Sequence, residues 1–90
     1  MTTLLFTHQD CSDHQTGEGH PESSARLAAV LRALAEPEFD GLARRDAPLA
    51  EEAALARVHG AAFVSRILGT VPETGRRALD PDTVLSPGSA

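Results

Sequence analysis

Tryptophan, tyrosine and lysine are absent from this chain of 90 residues. Phenylalanine appears three times, so any core must be built from Leu, Val and Ala. A chain of this length buries only about 60–65% of the surface its unfolded form exposes. Without cysteine pairs to staple it, such a core is marginal. The lone Cys11 excludes an internal disulfide and fits a reducing compartment. All 8 basic residues are arginine, against 13 acidic residues, for a net charge of −5. That balance excludes sequence-independent nucleic-acid binding, which needs a basic surface. Long apolar runs are missing too. The N-terminus offers only Leu4, Leu5 and Phe6, with no basic flank, so neither a secretory signal nor a membrane span is expected. The expectation is a soluble, cytoplasmic chain with neither nucleic acid nor membrane as a partner.

What is present begins with "TLLFTH", over 3–8. It is apolar, bounded by polar residues and too short for a helix, which predicts a short buried strand. Residues 9–22 carry Gly17, Gly19 and Pro21 among acidic groups, the composition of a loop. Ser23 is placed to cap a helix over 23–36. Leu27, Val30, Leu31 and Leu34 fall at i, i+3, i+4 and i+7, one apolar face. Pro37 ends it. "GLARRDAPL" is ambiguous and admits a short strand.

Helices are expected over about 50–69, with a break at Gly60. Glu51 and Glu52 precede that first helix, while Arg57 and His59 close it, in the sense the helix dipole favours. His59 is read as structural. Residues 70–90, with Pro72, Pro81 and Pro87, read as an irregular surface loop. The order strand, helix, short strand, helix predicts an α/β fold that opens a parallel sheet. Two strands do not complete such a sheet, so the domain is expected to be incomplete.

His8, Asp10, Cys11, Asp13, His14, Glu18 and His20 are all possible zinc ligands, but their spacing matches no zinc finger. The plainer alternative is a polar loop with satisfied hydrogen bonds. Cys11 paired with His8 or His14 has the makings of a nucleophile, yet no third group to orient the base is evident, and a packed side chain is the competing reading. Arg26 sits at the edge of the apolar helix face. There it either snorkels to solvent or meets carbonyls, a carboxylate or an anionic ligand.

The stretch "GEGHPESSARLAAVLRAL" resembles the first motif of the histone deacetylase family, which includes bacterial histone-deacetylase-like amidohydrolases and acetylpolyamine amidohydrolases. Gly17, Gly19, His20, Pro21, Glu22, Arg26 and Leu27 match that pattern, while Ser24 stands where the family usually has a second proline. "LARVHGAAFVSRI" and "LDPDTVLSPGSA" resemble two later family segments, in the same order. The bacterial or class II branch is the nearer likeness.

The resemblance implies an arginase/deacetylase-type parallel-sheet fold. It also implies a zinc-dependent hydrolysis of acetyl-amide bonds, on an acetylated lysine peptide or an acetylpolyamine. Within it, Gly19, His20, Pro21 and Glu22 belong to a pocket-wall loop over 9–22. Arg26 faces the product channel, where a guanidinium suits acetate. Asp82, with Asp80 as the alternative, lies in a substrate-binding rim loop over 70–90. The family's zinc motif, Asp-x-His, and its His-His pair do not occur in these 90 residues. The resemblance therefore implies the N-terminal portion of a deacetylase, roughly a quarter to a third of such a domain. This portion is expected to hold no catalytic residue and no metal ligand, to be inactive alone, and to need the rest of the domain. The alternative is a small stand-alone metal-binding or protein-interaction module that uses the His/Asp-rich loop.

Overall fold

The computed structural model describes residues 1–90. Its elements run β1 (Leu4–Thr7), a 3-10 turn (Gln9–Asp13), α1 (Ser24–Leu34), a 3-10 turn (Pro37–Phe39) and β2 (Ala43–Asp46). Then come α2 (Glu52–His59), α3 (Ala61–Thr70), β3 (Arg77–Asp80), β4 (Thr83–Leu85) and a final 3-10 turn (Pro87–Ser89). The chain is thus mixed α/β.

β1 and β2 pair in parallel, from Leu4 opposite Ala43 to Thr7 opposite Asp46. The ladder continues past both ends through Ala43 N–H to Thr3 O and Ala47 N–H to Thr7 O. Parallel strands need a crossover connection, and α1 supplies it. The ambiguous "GLARRDAPL" is therefore a strand. β1 is not buried as expected, because Leu4 and Phe6 are 52% and 53% exposed. A strand with one neighbour and no layer over its apolar face keeps that face open.

α1 begins where the serine cap places it and ends at Leu34, two residues short of the expected 36. Glu36, directly before Pro37, is extended (φ −65°, ψ 150°), as residues preceding proline tend to be. α2 and α3 form a hairpin about Gly60 and pack mainly on each other.

The tail departs most from expectation. Residues 77–85 form an antiparallel hairpin rather than an irregular loop. The turn Asp80–Pro81–Asp82–Thr83 puts proline second and aspartate first, the residues a tight turn favours. The sequence presents the same proline as a loop-former, and strand pairing between Arg77 and Leu85 is invisible to local composition.

Only Val64, Leu85, Thr16 and Ser86 are buried. The accessible surface is 6893 Å², against roughly 5,000 Å² for a compact monomer of this mass. The radius of gyration is 15.4 Å, against about 12 Å for a compact chain of this length. The molecule is a set of small units on an open surface, and the 3-10 turn at Gln9–Asp13 meets both α1 and the final 3-10 turn. No helix is long and apolar enough to cross a membrane.

Candidate functional site

The site is built outward from the start of α1. Ser23 is extended and its hydroxyl accepts the Arg26 N–H, the cap the sequence predicts. The next residue ties the preceding loop to the helix. The Ser24 hydroxyl reaches the carbonyls of Ser12 (2.7 Å) and His14 (3.2 Å) and accepts from Gln15 Nε2 (3.1 Å). Thr16, buried, donates its hydroxyl to the Glu22 carbonyl. Gly17 and Gly19 turn the chain between these anchors at φ 105° and 79°, values that side-chain-bearing residues rarely adopt. Part of this loop is not irregular, since Gln9–Asp13 is a 3-10 turn whose His8 Nδ1 accepts the Asp10 N–H.

His20 then reaches across the molecule. The Glu22 N–H donates to its Nδ1 at 3.0 Å, which leaves the proton on Nε2. Nε2–H donates to the Asp82 carbonyl at 2.8 Å. The Glu22 carbonyl also lies 3.1 Å from Nδ1, so a doubly protonated ring has a second acceptor there. The two stretches of interest, around His20 and around Asp82, are thereby in contact.

Asp80 and Asp82 differ in what their carboxylates do. Asp80 accepts the Asp82 N–H (2.8 Å) and the Thr83 hydroxyl (3.1 Å). These bonds, the Asp82 N–H first and the Thr83 hydroxyl second, hold the Asp80 carboxyl below the ordinary aspartate range. Asp80 is thus a turn-forming residue. The Asp82 carboxylate has no partner among the chain's hydrogen bonds or ion pairs, and it is exposed.

Of the two alternatives for Arg26, the structure shows contact with a carboxylate rather than a freely snorkelling side chain. Its Nη2 bonds both carboxylate oxygens of Glu22, at 2.8 and 2.9 Å. Both side chains are 52% exposed. The hydrogen bond from Arg26 is the main reason the Glu22 carboxyl sits below its usual range, and Glu22 in return raises Arg26. Nε and Nη1 of Arg26 make no hydrogen bond within the chain.

The end of the chain closes back on the same loop. Ser86 is 3% exposed. Its hydroxyl accepts the Gln15 N–H at 2.8 Å, and its own N–H donates to Ser89 Oγ at 2.8 Å. Ser89 Oγ lies 2.6 Å from His14 Nδ1. Gly88 packs directly on Asp13, where a Cβ at position 88 would overlap the Asp13 carbonyl. A cavity of about 360 Å³ opens between these parts, lined among others by Cys11, His14, Glu22, Ser24, Arg26 and Ser89.

Cys11 is exposed rather than packed. The two candidate bases are engaged elsewhere, His8 with Asp10 and His14 with Ser89, so no thiol–imidazole pair forms. No three His, Cys, Asp or Glu side chains converge to hold a metal ion.

Sequence reasoning overlooked Thr16, Ser86 and Ser89, and it singled out Ser24 without its anchoring role. One signal was available: Ser86–Pro87–Gly88–Ser89 has a capping serine, proline at the first turn position and a reciprocating serine three residues on. Pro21 and Gly19 shape the loop without hydrogen-bonding side chains, as their residue types require. No family model and no curated protein matches the chain.

Proposed function

We propose that these residues are the N-terminal part of a zinc-dependent deacetylase with an arginase/deacetylase-type fold. It hydrolyses acetyl-amide bonds on acetyl-lysine peptides or acetylpolyamines in the cytoplasm. In this reading the segment supplies a pocket wall (Gly19, His20, Pro21, Glu22), a product-channel guanidinium (Arg26) and a substrate rim (Asp82). Zinc ligands and proton-transferring residues come from other parts of the domain.

The contact between His20 Nε2 and the Asp82 carbonyl carries the reading. It joins the two loops that the resemblance assigns to one pocket, 62 residues apart in sequence. Two further features favour it. Asp82, not Asp80, has a carboxylate free to accept a substrate N–H. Arg26 keeps Nε and Nη1 unengaged, and a guanidinium edge suits acetate. The parallel β1–β2 pair, open on its apolar face, is what further strands would extend and packed helices would cover.

The test is the coding sequence that continues from Ala90, with kinetics on its product. An in-frame Asp-x-His and His-His are expected, together with zinc-dependent acetate release from an acetyl-lysine peptide. In that protein, Arg26→Ala is expected to retain zinc and to lower turnover about tenfold to a hundredfold, or about 1.4–2.7 kcal/mol. Arg26→Lys restores it only in part, because a point charge does not replace the fork. A stop codon after Ala90, or full turnover in the Ala variant, counts against this reading.

A further inference from the structure

We infer that the Ser86–Ser89 turn is a positioning device that fixes the backbone from which the Asp82 carboxylate projects. The β3–β4 hairpin is held to the loop before α1 at two places. One is His20 Nε2–H on the Asp82 carbonyl, at 2.8 Å. The other is the serine turn, where Gln15 N–H meets Ser86 Oγ at 2.8 Å and His14 Nδ1 meets Ser89 Oγ at 2.6 Å. A hairpin held at one point swivels about it. A second point four residues along the strand, about 13 Å at full extension, removes that freedom.

The burial pattern supports the assignment. The chain has almost no apolar core, yet Ser86, at 3% exposure, is its least exposed residue. Burying a hydroxyl is unfavourable unless its bonds are made. Here they are: Ser86 Oγ accepts from Gln15 and lies 3.4 Å from the Asp13 carbonyl, and Ser86 N–H reaches Ser89. Gly88 admits the close approach to Asp13 that seats the turn.

The result is a fixed backbone beneath a free carboxylate. Asp82 has its N–H held by Asp80 and its carbonyl by His20, while its own oxygens are unpartnered. An acceptor whose backbone is already ordered loses less entropy on binding. It suits a donor of the amide N–H or ammonium class. That the donor is an acetylated substrate rests on the deacetylase reading; the mechanical coupling does not.

The experiment uses the isotope-labelled protein at its full natural length, in solution. It follows the His20 ring nitrogens and the exchange of the Glu22 amide, with the Ala47 amide of the β1–β2 ladder as control. In Ser86→Ala and Ser89→Ala, the hydrogen-bonded Nε2–H of His20 is expected to disappear and Glu22 exchange to rise about fivefold to tenfold, in line with one lost hydrogen bond. Ala47 should stay protected. Ser89→Thr, which keeps the hydroxyl, should restore the His20 signal. An unchanged His20 in both alanine variants overturns the inference. Should Ser86→Ala also release Ala47, the Ser89 pair decides, and equal His20 signals in Ala and Thr overturn it. None of these signals requires zinc or acetate release, so failure here is distinct from failure of the deacetylase reading.

Discussion

His20 Nε2 stands 2.8 Å from the carbonyl oxygen of Asp82, while its Nδ1 accepts the amide of Glu22. One imidazole thus bridges two segments 62 residues apart. His20→Ala frees the Asp82 carbonyl to bind water, so the expected loss of stability is no more than about 1 kcal/mol. The local effect is sharper. The Glu22 amide loses its acceptor and should show the largest rise in exchange rate among the amides of the 16–22 loop. Hydrogen exchange followed residue by residue measures this, and an unaltered Glu22 amide would show that the tautomer is misassigned.

The acid limb of stability should report Glu22 and Asp80. Both carboxyls lie below their ordinary values in the folded chain, Glu22 chiefly through the Arg26 hydrogen bond and Asp80 chiefly through the Asp82 N–H. A depressed folded value means the contribution is complete above the unfolded value, near pH 4. It is lost as pH falls through the lower folded value. Carboxyl chemical shifts against pH should place both midpoints below those of reference peptides. Arg26→Leu should return Glu22 toward its ordinary value and leave Asp80 where it is.

Ser24→Pro separates helix propensity from loop anchoring. Proline suits the first position of a helix, and Ser23 is already extended at φ −152° and ψ 158°, as a residue before proline prefers. Helix content by circular dichroism should therefore hold. The hydroxyl bonds to Ser12 and His14 are lost, at about 0.5–1.5 kcal/mol for each hydrogen bond actually made. Faster exchange confined to residues 9–16 is the expected result. Unchanged exchange there would remove Ser24 from the anchoring set.

The 90-residue chain by itself should melt without a sharp transition. Four buried residues and a surface well above that of a compact monomer leave little to unfold cooperatively. Leu4 and Phe6 on an uncovered strand add a tendency to self-associate. Circular dichroism on heating, with light scattering, measures both. A steep transition from a monomer would contradict this.

Local patterns were legible in the sequence wherever one residue type fixes one conformation. Ser23 announced a cap, the Leu27–Leu34 spacing announced a helix, and Gly60 announced the break between α2 and α3. The extended character of residues 4–7 was legible as well. These depend on neighbours within about one helical turn, which the chain order itself supplies. The β3–β4 hairpin was not legible, because proline in a tight turn and proline in a loose loop look alike until strands pair across it. A carboxylate partner for Arg26 was legible as one alternative, and the i,i+4 spacing places Glu22 within reach of it.

The contacts of His20 with Asp82, and of Ser86 and Ser89 with Gln15 and His14, belong to tertiary structure alone. Hydrogen bonds carry no sequence periodicity. A serine hydroxyl or an imidazole accepts whatever donor folding brings within reach. Which of two aspartates keeps a free carboxylate was decided the same way. Asp80 stands first in the turn and is taken up by the Asp82 amide, while Asp82, two residues on, is left open.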